Sequence, residues 1–405
     1  MRQPAYFVVA TLAVASFVAA CVVSCVAVAG AADAAPFGAC LASLNRRAEA
    51  AGVPASIVAR ATAGLSPDMK VLTFERSQPE FKTPVWDYLA GLDDSRRVAD
   101  GRAAMAREAG ALRAAQARYG VDRYVVAAIW GVESNFGTKM GDRPLLQSLS
   151  TLGCYGMRAH YFAGEYVNAL KIVARGDVPA NRLVGSWAGA FGQTQFMPSS
   201  FLRLAVSGSG DGRRDIVDRP ADALASTANF LRRAGWRAGE PWGFEVLLPG
   251  GYGGPSGRRA KRPMSFWSAR GLRRADGRAL AGPDAGLLLP AGPRGPAFLT
   301  TRNFDAIYAY NASESYSLAI VHLADRMAGG GPFRTPWPTD DPGLSRAKRA
   351  DVQKLLIGRG YRIDKVDGVI GSQSQAAIAD YQSKIGMARN GRASVKLLEA
   401  LRAGR

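Results

Sequence analysis

One carboxyl in this chain stands where proton transfer would be expected. Gly120-Val121-Asp122 reads as a helix start, after which Val125, Ala128, Ile129 and Val132 trace an apolar face at three- and four-residue steps. Glu133 sits beside that face, just before Ser134-Asn135-Phe136-Gly137, whose Asn and Gly suit a helix stop. A carboxyl between an apolar wall and a cleft-forming loop has its charged form disfavoured and its pKa raised. A general acid working near neutral pH requires that shift. Taken alone, a Glu at such a place is more often a solvated or capping residue. Nucleophilic triad chemistry at Ser186 fits poorly, because the only histidines, His160 and His322, lie in no triad motif. No metal-ligand spacing supports zinc.

The surrounding strings sharpen this reading. They are Ala128-Ile129-Trp130-Gly131-Val132-Glu133-Ser134-Asn135-Phe136-Gly137, then Gly185-Ser186-Trp187-Ala188-Gly189-Ala190-Phe191-Gly192-Gln193-Thr194-Gln195-Phe196-Met197-Pro198-Ser199-Ser200-Phe201, and finally Tyr308-Ala309-Tyr310-Asn311-Ala312-Ser313-Glu314-Ser315-Tyr316. Together they resemble the lytic murein transglycosylase B family over roughly residues 36 to 328. The resemblance implies a lysozyme-like helical fold in which Glu133 is the single catalytic acid and base. It also implies cleavage of peptidoglycan between N-acetylmuramic acid and N-acetylglucosamine without hydrolysis, leaving 1,6-anhydro-N-acetylmuramic acid ends. Ser186 matches the family's active-site serine, Gln195 a cleft glutamine, Tyr310 and Asn311 a Tyr-Asn pair, and Tyr316 the tyrosine that follows. Tyr88, in Val85-Trp86-Asp87-Tyr88-Leu89, matches another cleft tyrosine. Hydroxyls and amides can bind acetamido groups and sugar hydroxyls, and aromatic rings offer apolar faces to pyranoses. The structural alternatives are packed tyrosines with satisfied hydroxyls and a Ser186 that caps a helix beginning at Trp187. A hydrolytic muramidase and an idle wall-binding scaffold are the rival functions, and the intact Glu133 block argues against the scaffold.

The elements expected to position these residues are mainly helical. Residues 36 to 235 carry amphipathic stretches such as Arg96 to Arg118 and Pro220 to Arg233. From about 236 to 302 Gly and Pro become dense, and Phe244 to Leu248 and Gly286 to Leu289 look like strands, so a small β-rich insertion is expected. Helical pattern returns from Tyr308 to Met327. Residues 329 to 343, with Gly329-Gly330-Gly331 and Pro332, Pro336, Pro338 and Pro342, read as a linker. In residues 344 to 405 a helix begins at Asp351, a turn falls at Asp367 to Gly371, and a second helix runs from Ser374 to Gly386. That spacing resembles the three-helix peptidoglycan-binding domain of wall enzymes.

Bulk properties agree with export and a polyanionic surface. The chain has 405 residues, and Lys plus Arg exceed Asp plus Glu by 52 to 33, a net charge of +19. Nucleic acid, anionic lipid and bacterial wall all fit such a charge. With the resemblance, peptidoglycan is the expected partner and nucleic acid is not. Ala5 to Ala32 contains no charged residue, and Ala32-Asp33-Ala34 offers a cleavage site, so residues 1 to 34 read as a leader to the periplasm. Val18-Ala19-Ala20-Cys21 resembles a lipoprotein box that would attach a membrane anchor through Cys21. After leader removal Cys40 and Cys154 remain, either as a disulfide or as two buried thiols. Ser207 to Asp218 falls where some family members carry a calcium loop, but Ser207 and Ser209 occupy carboxylate positions, so no cofactor is expected. A monomer is expected.

Overall fold

The computed structural model describes residues 37–76, 83–92 and 94–404. The expected leader and Cys21 lie outside the described residues. Seven helices come first: α1 (Phe37–Ala50), α2 (Ala55–Thr62), α3 (Lys70–Arg76), α4 (Val85–Leu92), α5 (Ser95–Arg107), α6 (Ala109–Tyr119) and α7 (Arg123–Ser134). Strand β1 (Arg143–Pro144) precedes α8 (Leu145–Tyr155) and α9 (Ala159–Ala174), and it pairs antiparallel with β2 (Val184–Gly185). Helices α10 (Pro198–Leu204) and α11 (Pro220–Arg233) follow, both opened by a proline that gives up no helical hydrogen bond there. Next come β3 (Gly243–Leu247), α12 (Met264–Ser268), β4 (Arg273–Arg274), β5 (Gly286–Leu288) and β6 (Ala297–Thr300). These four strands form one antiparallel sheet in the order β4-β3-β6-β5. The chain returns to helix in α13 (Arg302–Asn311) and α14 (Glu314–Met327) and closes with α15 (Arg346–Ile357), α16 (Ser372–Lys384) and α17 (Val395–Arg402).

Two amphipathic stretches that read as continuous are each broken once. Between α5 and α6, Glu108 leaves helical geometry at φ −102°, ψ 25°. Between α13 and α14, Ala312 takes a left-handed conformation and Ser313 caps the next helix, its side chain accepting from the Tyr316 N–H at 3.2 Å. The second break turns one helical run into a hairpin, so tyrosines from both arms face each other.

Two apolar cores fill the larger domain. One surrounds α7 and α14, whose inward residues Val126, Ile129, Leu318 and Val321 are fully buried. The other surrounds α8 and α9 and holds Leu149, Phe162, Tyr166 and Phe201. Phe230 and Tyr310 pack against both, which places the α13–α14 hairpin at the seam. A disulfide joins Cys40 of α1 to Cys154 of α8 across the second core.

Residues 329–343 correct the expectation of a free linker. Phe333 stacks on His322 with ring centroids 3.8 Å apart and meets Phe298 at 4.7 Å. The Arg334 and Thr335 N–H groups donate to the Glu245 carboxylate at 2.8 and 2.7 Å. Trp337 lies beside Trp86. Gly and Pro give a chain its looseness or stiffness in water, but the aromatic rings and two backbone N–H groups between them bind this segment to the larger domain. Its far end is fixed by charge: Arg392 donates to Asp341 at 2.9 Å and to Asp87 of α4 at 2.8 Å. Arg349 of α15 donates to the Asp87 carbonyl at 2.8 Å. The three C-terminal helices are therefore docked. Among the described residues, no helix is long and apolar enough to cross a membrane.

The disulfide spans a sequence separation of 114 residues, so its loss frees a long loop in the unfolded chain. Replacing Cys40 and Cys154 together by Ser is expected to lower unfolding free energy by about 2–4 kcal/mol in urea melts. An unchanged midpoint in the double variant would contradict this.

Candidate active site

Helix α7 is built to end at Glu133. Asp122 caps its start by accepting from the Tyr124 N–H at 2.7 Å, and an almost wholly buried run from Val125 to Gly131 carries it through the core. Its stop is made by several residues acting together. Asn135 and Phe136 both adopt positive φ, 50° and 57°, which returns the chain so that Phe136 donates its N–H to the Trp130 carbonyl. The Phe136 ring then folds under the helix, edge-on to Trp130 at 5.6 Å. Gly131 makes the room, since a Cβ there would lie 2.5 Å from the ring. The Ser134 hydroxyl accepts from the Gly137 N–H at 2.8 Å and donates to the Gln193 carbonyl at 2.5 Å, while Trp130 Nε1 donates to Gln193 Oε1 at 3.0 Å. Those bonds tie the end of α7 to the turn that follows β2.

The Glu133 carboxyl is half-buried and meets one donor. The Tyr316 hydroxyl, 1% exposed, gives a hydrogen bond to Glu133 Oε1 at 2.6 Å. Desolvation raises the Glu133 pKa from 4.5 to about 7, and the Tyr316 bond, which favours the carboxylate, lowers it by less. Burial, with the Glu133 charge second, pushes the Tyr316 hydroxyl well above its ordinary value, so it remains a donor. Tyr310 lies behind Tyr316, its ring nearly parallel with centroids 6.4 Å apart, and donates to the Thr194 carbonyl at 2.6 Å. Its phenol is likewise held protonated, first by burial and then by Glu133.

A cleft of about 1250 Å³ opens over this carboxyl and is lined by Tyr88, Val132, Glu133, Asn311 and Tyr316 on one side. Arg346, Arg349, Arg389 and Arg392 of the C-terminal domain line the other. Ser186, Gln195 and Tyr310 fall outside that lining. Ser186 begins no helix: its Oγ accepts from the Ala190 N–H at 3.1 Å and its own N–H donates to the Ala190 carbonyl at 2.8 Å, closing a turn. Gln195, at φ 51°, spends its amide on the Met140 and Gly192 carbonyls at 3.0 and 2.8 Å. Among the described residues the positive-φ positions other than glycine are Asn135, Phe136, Gln195 and Ala312. All four adjoin Glu133, its tyrosines or the turn behind them. Such conformations cost about 1–3 kcal/mol each and persist only where packing over-determines them.

Sequence reasoning did not single out Asp87 or its partners. Asp87 is the other carboxylate in the cleft lining, and both of its oxygens accept from Arg392. Since Arg392 is 305 positions away, no local pattern announces the pair. Glu165 is also committed, its oxygens accepting from the Ser199 N–H and hydroxyl at 2.8 and 2.6 Å. Glu314 lies against Arg258.

In the loop from Ser207 to Asp218 the carboxylates are engaged by arginines and backbone N–H groups. Arg219 pairs with Asp211, holding that carboxyl at about 2. Asp222 accepts from the Gly208, Ser209 and Asp215 N–H groups at 2.7, 3.1 and 2.9 Å. Asp215 is bonded to Arg213 and Asp218 is paired with Arg182. Among the described residues no group of three or more His, Cys, Asp or Glu is disposed to hold a metal.

Comparison with known proteins shows the class to which a chain with this fold and cleft belongs. The chain belongs to the family of the transglycosylase SLT domain, which matches residues 36–325, and residues 345–401 match a putative peptidoglycan binding domain. Membrane-bound lytic murein transglycosylase B of Escherichia coli strain K12 is 37% identical over 222 residues, 54% of this chain and 60% of that protein. The crystal structure of SltB3 from Pseudomonas aeruginosa in complex with NAG-anhNAM-pentapeptide is similar at TM-score 0.73 and 44% identity, covering 91% of this chain and 100% of that one. The Escherichia coli lytic transglycosylase Slt35 in complex with bulgecin A is similar at TM-score 0.63 and 29% identity, covering 71% of this chain and 92% of that one.

The raised pKa has a consequence for stability. Between 4.5 and about 7 the folded state keeps a proton on Glu133 that the unfolded chain has released. Stability from this group is thus fully present at low pH and falls as pH rises through that window. Glu133→Gln removes the cost of ionisation, so the variant is expected to exceed the parent in stability by roughly 1–3 kcal/mol at about pH 8 and to match it near pH 4. Equal differences at both pH values in denaturant melts would refute it.

Proposed function

We propose that this chain is a lytic transglycosylase that cleaves the β-1,4 bond between N-acetylmuramic acid and N-acetylglucosamine in peptidoglycan. The observation that carries this reading is the Tyr316 to Glu133 hydrogen bond at 2.6 Å in a cleft whose other carboxylate, Asp87, is held by Arg392. Ordinary glycosidases use two carboxyls, an acid and a nucleophile or base. With Asp87 engaged, Glu133 serves in both steps. With its pKa near 7, it gives a proton to the leaving glycosidic oxygen and becomes a carboxylate, which Tyr316 stabilises by its hydrogen bond. That carboxylate takes the proton of the muramic acid C6 hydroxyl. The same hydroxyl attacks the anomeric carbon from within the sugar, and its effective molarity outcompetes water. The product ends in 1,6-anhydro-N-acetylmuramic acid. The anhydro-sugar complex of SltB3 and the family membership support this substrate class.

Tyr88 and Asn311 line the cleft and are assigned to sugar contacts. Ser186 and Gln195 are assigned to sugar contacts from the turn behind Glu133, Gln195 through its Oε1 because its NH2 is engaged by the Met140 and Gly192 carbonyls, and Tyr310 braces Tyr316. The C-terminal domain holds peptidoglycan beside the catalytic cleft. The periplasm is the site of action, with membrane attachment through the leader or Cys21, and the protein acts as a monomer. The Ser207 to Asp218 loop works without calcium because Arg219 supplies its positive charge.

On purified sacculi, mass spectrometry is expected to find fragments one water lighter than lysozyme products. Glu133→Gln is expected to lower the rate by at least about 10²- to 10⁴-fold with the fold intact. Mainly reducing ends formed at the enzyme would replace the transglycosylase with a muramidase, and full activity in the Gln variant would remove Glu133 from the chemistry.

Chelation tests the loop separately. Thermal unfolding of the full chain is expected to be unchanged by EDTA or by millimolar calcium, whereas a midpoint that rises with calcium would show a working metal site.

A further inference from the structure

The inserted sheet contributes nothing to the cleft lining, yet two side chains of one of its loops, Arg258 and Lys261, reach the helical hairpin that carries Tyr316. Its loop at Gly257 to Arg262 is pinned to β5. The Gly257 N–H donates to the Leu287 carbonyl at 2.7 Å, and Arg262 and Ala285 exchange both backbone bonds at 2.9 and 3.0 Å. Gly286 lies directly beneath, where a Cβ would come 2.3 Å from the Arg258 carbonyl oxygen.

From this anchored loop Arg258 extends onto the α13–α14 hairpin. Its guanidinium, 8% exposed, pairs with Asp305 of α13 and donates through Nε to Glu314, the first residue of α14, at 3.4 Å. The same group sits 3.8 Å from the centre of the Tyr308 ring. Lys261 adds a second tie, bonding Asp305 at 3.0 Å and the Thr300 and Thr301 carbonyls at 2.8 and 3.0 Å, where Thr301 caps α13. One cation therefore spans the left-handed turn at Ala312, with two partners on α13 and one on α14. Asn311 lies within this bracket and Tyr316 follows it by two residues. Without the guanidinium, Asp305 would keep Lys261 but Glu314 would lose its cation, and the tie between the two arms would be gone.

We propose that Arg258 is a positioning residue for glycan cleavage: by bridging Asp305, Tyr308 and Glu314 it fixes the α13–α14 hairpin and so the hydrogen bond from Tyr316 to Glu133. The inference rests on Glu133 being the acid. A planar guanidinium can bond two carboxylates while covering an aromatic face, and a lysine ammonium cannot hold all three in that geometry. The inserted sheet is thereby an external brace for the catalytic hairpin.

The test is a double-mutant cycle on the full chain, with kcat, KM and unfolding midpoints measured on soluble glycan fragments from about pH 5 to 9. Around Glu133 the titratable and charged groups are Tyr316 and Tyr310 from the hairpin, Tyr88 and the Arg392-bound Asp87 from α4, Arg97 from α5, and Arg346, Arg349, Arg389 and Arg392 across the cleft. Arg258→Met is expected to lower kcat about 10-fold or more, since misplacement by an ångström costs up to about 10² in rate, with little change in KM. Its alkaline limb is expected to move to higher pH, because the carboxylate loses the donor that favoured it. Tyr316→Phe should show the same shift, and the double variant should be no slower than Tyr316→Phe alone. Arg258→Lys should recover part of kcat.

A normal kcat and pH profile in Arg258→Met, even with a lowered unfolding midpoint, would overturn the proposal and leave a structural ion pair. Rate losses that multiply in the double variant would also overturn it, since Arg258 would then act independently of Tyr316. Should Arg258→Met not fold, Glu314→Gln removes one arm of the bracket and must show a smaller shift of the same sign, or the proposal fails. Activity retained in Glu133→Gln would instead defeat the underlying assignment of the acid, whatever Arg258 does.

Discussion

The structure around the cleft depends on partly desolvating one carboxyl and giving it a single hydrogen-bond donor. Desolvation alone would hold Glu133 protonated through the neutral range, and full solvation would leave it an ordinary carboxylate. The Tyr316 hydroxyl places it between these limits, with a pKa of about 7. That balance needs both groups on rigid supports, because a hydroxyl and a carboxyl at 2.6 Å lose most of their attraction within an ångström of misplacement. Each therefore sits on a core helix. Helices α7 and α14 share the larger domain's main apolar cluster, and their facing residues are buried along almost the full length of both.

Rigid helices place side chains well only if their ends are equally well fixed. The end of α7 takes two consecutive positive-φ residues that are not glycine, and Phe136, bulky and in an unfavourable region, is held by the Trp130 ring and the space above Gly131. Ser134 and Gln193 lock the same corner to the turn after β2. The hairpin between α13 and α14 repeats the device at Ala312, with the Ser313 cap on one side and the Arg258 bracket on the other. Strain is concentrated where the chain must turn sharply next to the reacting group, and side chains distant in sequence stabilise each turn.

Charge organises the outer wall. A strongly basic chain would repel itself if its arginines were placed at random, and here many are paired with carboxylates, one of which, Asp87 with Arg392, joins the two domains. Asp87 gathers Arg392 on its carboxylate and Arg349 on its carbonyl, so α4 is gripped by the C-terminal helices. The strap of residues 329–343 supports that arrangement with aromatic contacts to His322, Phe298 and Trp86. The cleft is thus walled by two domains whose separation is set at Asp87, by an ion pair with Arg392 and a hydrogen bond from Arg349.

Much of this was legible in the sequence because it is local. The apolar periodicity from Val125 to Val132, the Asp122 cap and the Asn-Phe-Gly stop identify α7 and leave Glu133 at its end, and those signals lie within about four turns of helix. The motif strings named the tyrosines for the same reason. Whatever depends on long-range approach was decided by tertiary structure alone. Ser313 offers only a cap signal near Ala312, and that signal becomes a helix break because of packing at the seam of two cores. Composition marked residues 329–343 as loose, but Phe333, Trp337 and Asp341 found partners far from them in sequence. Gln195 was named by its motif string, whereas the engagement of its NH2 by the Met140 and Gly192 carbonyls exists only in the folded chain. Sequence fixes what a residue can offer within its own turn or strand. Which partner takes up that offer is set by where the folded chain brings distant groups together, and Asp87 with Arg392 is the clearest instance.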